Sequence, residues 1–69
     1  MYQAEAGLYI ADFTRKQDAV DWLASEILHV YPVTSMTTLK RLAKSIIDLD
    51  ETVQINGVTF KGKTLKKDK

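Results

Sequence analysis

The residues able to do chemistry are few and scattered along the chain. One His, no Cys, nine acidic and ten basic side chains exclude a thiol nucleophile, a disulfide and a thiolate metal site. A single imidazole holds zinc only with carboxylates gathered around it. No Ser-His-acid set at workable spacing, no G-x-x-x-x-G-K and no H-E-x-x-H occurs. Five of the acids stand in two groups, Asp18 and Asp21 near Arg15, and Asp48, Asp50 and Glu51 together. Paired catalytic carboxylates need a cleft that desolvates one of them, and a chain of 69 residues has little room for one. The expectation is a non-enzyme with no catalytic residues, no metal, no cofactor and no small-molecule substrate.

Binding is the remaining chemistry, and two surfaces compete for it. At about 100° per helical residue, Trp22 falls nearly opposite the stripe Val20, Leu23, Ala24, Ile27 and Leu28. One turn away from it lie Asp18, Ser25, Glu26 and His29. An aromatic ring with an acidic rim suits a protein partner, because Trp is enriched among residues that dominate binding energy. Trp22, Asp18, Glu26 and His29 are therefore the expected protein-binding residues, the alternative for so large a ring being to lie down over Ala19 or under a loop as part of the packing. His29 also has a structural role open to it, since a cation in the last turn of a helix meets free carbonyls and the negative end of the dipole.

The second surface is basic. Lys40, Arg41 and Lys44 share one helix face, and Lys61, Lys63, Lys66 and Lys67 follow near the C-terminus. A helix, the turn YPVT, the helix SMTTLKRLAKSI and a hairpin resemble a helix-turn-helix with a wing over about half of the chain. That resemblance implies Thr37, Thr38 and Arg41 at base-reading positions, while the basic set Lys40, Arg41, Lys44, Lys61, Lys63, Lys66 and Lys67 suits contact with phosphates. The turn departs from the pattern in carrying Pro32 and no Gly. The same cations also read as an ordinary solvated helix face and a solubilising tail.

Charge is unevenly spread. Residues 1 to 34 hold two cations against five anions, a balance of −3, and residues 35 to 69 hold eight against four, a balance of +4. Such a split steers an anionic partner, or lets one half complement the other or a second copy. With 45% apolar residues and a core thin for its size, part of the apolar surface is expected to need a partner. No apolar run spans a membrane and the start MYQAEAGLYIADF has no signal-peptide pattern. A cytoplasmic protein is expected.

The elements that must position these residues follow from periodicity. Tyr2, Ala4, Ala6, Leu8 and Ile10 alternate with Gln3, Glu5, Gly7, Tyr9 and Ala11, which predicts one strand with its best portion at Leu8 to Phe13. Thr14 and Gln17 read as a capping box opening a helix. The stripe continues to Tyr31, and Pro32 ends the helix near His29 or Val30. Thr34 or Ser35 caps a second helix, to about Leu49, with Met36, Leu39, Leu42, Ala43, Ile46, Ile47 and Leu49 inward. In TVQINGVTFKGK, Asn56-Gly57 marks a type I′ hairpin that puts Val53, Ile55, Val58 and Phe60 on one side and Gln54, Thr59 and Lys61 on the other. The expected fold is a single α+β domain over residues 1 to 64, of order β-α-α-β-β. Its three-stranded antiparallel sheet carries both helices on one face, and residues 65 to 69 form a flexible basic tail. The expected function is a small non-catalytic regulator or adaptor that binds another protein or a second copy, with nucleic-acid binding as the alternative.

Overall fold

The computed structural model describes residues 1–32 and 35–65. Its elements are β1 (Tyr2–Ala6), β2 (Tyr9–Phe13), α1 (Lys16–Val30), α2 (Met36–Asp48), β3 (Thr52–Ile55) and β4 (Val58–Thr64). The α+β class and the two helices on one antiparallel sheet agree with the sequence reading, but the sheet has four strands, in the order β2-β1-β4-β3. The order along the chain is β-β-α-α-β-β, a correction to the three strands expected.

The extra strand comes from Gly7. It takes φ +64, a conformation cheap only for glycine, and with Leu8 it makes a two-residue loop that pairs Ala6 with Tyr9. Glycine at the first loop position and a positive φ only there match a type II′ turn. Crossing the loop from Ala6 to Tyr9 changes parity. Tyr9, Ala11 and Phe13 therefore join Tyr2, Ala4 and Ala6 on the helix side, and Ile10 and Asp12 share the other side with Gln3 and Glu5. The expected grouping of Ile10 with Tyr2, Ala4 and Ala6, and of Tyr9 and Ala11 with Gln3 and Glu5, is thereby overturned, and Leu8 lies in the loop.

The second hairpin matches its sequence pattern. Asn56 (φ 51) and Gly57 (φ 80) both take the positive φ of a type I′ turn, with Ile55 opposite Val58 and Val53 opposite Phe60. A hydrogen bond of 3.4 Å from Gln54 Nε2 to Thr59 Oγ1 places those two on the other side together.

The helices cover the sheet with an all-apolar interior. Ala19, Val20, Leu23, Ala24 and Ile27 of α1 meet Leu39, Ala43, Ile46 and Ile47 of α2 above Ala4, Ala6 and Phe60. Each large side chain here contributes about 1.5–3 kcal/mol on burial. Met36 and Leu49, expected inward, lie at the two ends of α2 and remain 37% and 63% exposed. Gly62 lets β4 and α2 touch: a Cβ there would lie 2.7 Å from Ile47 Cα.

The helix ends differ. Ser35 caps α2 as expected, its Oγ accepting from Thr38 N–H at 3.3 Å. The Thr14–Gln17 box does not form: Arg15 is the N-cap of α1 without a side-chain bond, and Gln17 donates instead to Asp21 at 2.9 Å. The helix starts one residue later than the box requires, with Asp18 left in its first turn, where the dipole favours an acid. At the end of α2, Asp50 takes φ 51, its N–H reaches Ile47 O and the Glu51 N–H reaches Ile46 O, a Schellman closure made with Asp in place of Gly. Asp50 Oδ1 also accepts from the Thr64 N–H at 3.1 Å, tying that turn to β4. The expected Thr34 cap and residues 66–69 of the expected tail lie outside the described residues.

Candidate docking surface on the first hairpin and α1

The first hairpin ends in three consecutive exposed apolar side chains. Leu8 is 99% exposed, Tyr9 70% and Ile10 61%. Leu8 lies in the loop and Tyr9 and Ile10 open β2, which lies at one edge of the sheet and so leaves one row of backbone donors and acceptors unpaired.

Beside this edge runs one flank of α1. Tyr9, Ile10 and Ala11 line a shallow groove with Trp22, Glu26 and His29. A neighbouring depression lies between Leu8, Tyr9, Val58 and the same Glu26 and His29, so Tyr9, Glu26 and His29 border both. Trp22 is half-buried because Phe13 of β2 packs on it, ring centres 5.8 Å apart and planes at 48°. Three of the four residues expected at a protein-binding site, Trp22, Glu26 and His29, thus share this groove, and Asp18 lies one helical turn before Trp22, exposed.

Leu8, Tyr9 and Ile10 were missed as part of this surface. The signal was present: a glycine between two alternating apolar segments is the first position of a type II′ turn. Reading it as a turn reverses the faces of every residue after it.

The basic residues are divided over the molecule. Lys40 Nζ lies 3.5 Å from Asp21 of α1, and Lys44 Nζ 3.6 Å from Asp48, one turn on in α2. Asp48 also binds Lys16, which joins the start of α1 to the end of α2. That hydrogen bond from Lys16 holds the Asp48 carboxyl below its ordinary value of 3.8; partial desolvation opposes it and the charges of Lys16 and Lys44 add to it. Thr37 and Arg41 are exposed on α2, whereas the Thr38 hydroxyl lies 3.0 Å from Ser35 Oγ within the cap. Lys61 and Lys63 stand opposite Glu5 and Gln3 on the sheet face turned away from the helices. That face carries a mixed lining of Glu5, Asp50, Glu51, Lys61 and Lys63. The cations of α2 and those of β4 therefore do not form one surface.

Among the described residues every buried side chain is apolar, no three metal-ligating groups converge, and no helix is long and apolar enough to cross a membrane. No protein-family model, no curated protein and no solved structure matches the chain.

Proposed function

We propose that the protein is a small non-catalytic regulator or adaptor that works by binding another polypeptide through the first hairpin and the adjoining flank of α1. The observation that carries this reading is the run Leu8, Tyr9, Ile10, almost fully to mostly exposed, on an edge strand next to Trp22. With Tyr9 on the helix side of this edge and Ile10 on the other, large apolar side chains stand in water on both sides of it, a feature of interaction sites, and Tyr and Trp supply much contact area with few rotors to order. Glu26 and His29 give the groove a polar rim, as interfaces have.

Nucleic-acid binding is the weaker reading because Lys40 and Lys44 already face Asp21 and Asp48 and the hairpin lysines lie on another face.

The test replaces Leu8, Tyr9 and Ile10 together by Ser and compares the proteins that co-purify with each form. Partners held by the wild type should be lost from the variant while its melting temperature stays close to that of the wild type, since exposed substitutions change stability by no more than about 0.5 kcal/mol each. Retention of the partners by the triple variant, with loss on Lys40→Glu and Arg41→Glu instead, would overturn the reading in favour of the basic face.

A further inference from the structure

We propose that β2 is the seam of a homodimer, in which two copies pair their β2 strands antiparallel about a two-fold axis at Ala11. This rests on the reading of the first hairpin as a protein interface and names its partner as a second copy of the chain.

The backbone decides which groups are free. Gly7 N–H donates to Thr59 O, and Leu65 N–H to Met1 O, so the odd-numbered positions of the first strand bond towards β4 and Tyr2, Ala4 and Ala6 bond towards β2. Their partners Phe13, Ala11 and Tyr9 therefore point their N–H and C=O groups inward, and Ile10 and Asp12 point theirs out of the sheet. An added antiparallel strand must bond to Ile10 and Asp12.

Three symmetric registers use these groups. Centring on Asp12 sets two carboxylates opposite each other, which is unfavourable. Centring on Ile10 leaves Phe13 beyond the overlap with the partner's β2. Centring on Ala11 pairs all five residues: Ile10 faces Asp12 of the second copy twice, giving four main-chain hydrogen bonds, and no like charges oppose. It also sets Tyr9 against Phe13 of the second copy in a pair without hydrogen bonds, where side chains come closest. Phe13 already packs on Trp22, so each Tyr9 ring, exposed in the monomer, would complete an aromatic cluster on the other copy. The small Ala11 side chains sit on the axis, where bulk would push the strands apart.

The remaining surface agrees. A stable interface takes about 800 Å² from each partner, roughly one sixth of the 4673 Å² of this chain. Five residues of β2 cannot supply that alone, so the dimer must also use Leu8 and the flank of α1 at Trp22, Glu26 and His29 that borders the same edge. The opposite edge, β3, has four residues to the five of β2 and follows directly on Asp50 and Glu51, the kind of charge that keeps edges apart.

Because the chain has no Cys, one introduced thiol reports the register. In this arrangement the two Ala11 Cα atoms lie about 4.5 Å apart, within disulfide reach, and the two Asp12 Cα atoms lie beyond about 7 Å, outside it. Mild oxidation should cross-link Ala11→Cys and leave Asp12→Cys monomeric on a denaturing gel; the reverse pattern overturns the register. Sedimentation of the full chain should show a dimer at about 10 µM and above. Ile10→Pro, which removes an N–H that only a second copy accepts, should sediment as a monomer with an unchanged circular dichroism spectrum. A dimer that survives Ile10→Pro overturns the seam. A wild type that stays monomeric and fails to cross-link overturns the dimer, and leaves the co-purification test of the Ser variants to decide separately whether the surface binds another protein.

Discussion

The two hairpins sit side by side in the same sheet, each closed by a two-residue loop, yet their tips are opposite in character. The tip of the second is fastened: Asn56 Nδ2 donates to Val30 O at the end of α1, and Val58 and Ile55 are half-buried against the core. The tip of the first, Gly7-Leu8, has Leu8 almost fully in water. Behind the tips the inner strand of each reaches the core, β4 with Phe60 and β1 with Ala4 and Ala6, and neither outer strand buries a residue fully; the difference there is that β4 is pressed on α2 at Gly62. Both hairpins build the sheet, but only the second has its tip tied to a helix, and the first leaves its tip and the start of its outer strand in water. An apolar sequence placed there is free to be used by something else.

The difference is sharpest at the glycines. Gly62→Ala drives a Cβ to within 2.7–2.8 Å of the Ile47 backbone, and backbone cannot rotate away as a side chain does. A cost of about 3 kcal/mol is expected, a large part of the roughly 3–10 kcal/mol that a domain of this size has. Gly7→Ala meets only Val58 Cγ1 at 3.5 Å, so its cost is the positive φ, about 1–2 kcal/mol. Urea melts of both variants check the order. A larger loss at Gly7 would mean that the first hairpin is as integral as the second.

Trp22 tests where the free surface ends. Its ring lies half-buried against Phe13, so Trp22→Ala should lose less than a core truncation, about 2 kcal/mol, and the variant should remain folded. Emission from Trp22 in the wild type should shift to shorter wavelength as protein concentration rises and Tyr9 of a second copy covers it. An emission maximum that is already short in dilute monomer, with an unfolded Ala variant, would place Trp22 in the core and remove it from the docking surface.

A third comparison concerns the tips themselves. Asn56→Ala removes both the bond to Val30 O and a residue that tolerates φ 51, and about 1 kcal/mol of stability should go with it. Leu8→Ser should change the melting temperature little, since a side chain already in water loses no burial.

The legibility of the molecule follows the same division. The second hairpin could be read because Asn-Gly names its turn and Val53, Ile55, Val58 and Phe60 are large enough to mark a face. Both helices could be read because Leu23, Ile27, Leu39, Ala43, Ile46 and Ile47 recur at helical spacing. The first hairpin could not, because the inward residues of its first strand are Ala4 and Ala6, which carry little hydrophobic signal, and because alternation read through Gly7 keeps the wrong parity afterwards. The surface around Trp22 was visible from the helix side alone. What completes it, Leu8, Tyr9 and Ile10, depended on a turn type and not on residue character. The basic face shows the converse: Lys40, Lys44, Lys61 and Lys63 look continuous along the sequence, but pairing with Asp21 and Asp48 and the strand alternation distribute them over the fold.

The smallest expected effect lies on the helix side, at the ion pair joining the start of α1 to the end of α2. Lys16 sits where the dipole disfavours a cation and Asp48 where it disfavours an anion, so each neutralises a poor placement of the other. Because Lys16 holds the Asp48 carboxyl below 3.8, the unfolded chain takes up that proton at higher pH than the folded one. Its stabilisation is therefore fully present above about pH 4–5 and is lost as the pH falls through the lowered folded value. Asp48 is exposed to solvent and water screens the pair, so the change should be small. Melting temperatures taken from neutral pH down through that window should fall for the wild type and fall less for Asp48→Asn, which cannot titrate. Equal slopes for the two would mean that the pair contributes nothing, and that the packing of Leu23, Ile27, Leu39 and Ile46 alone sets how α1 lies on α2.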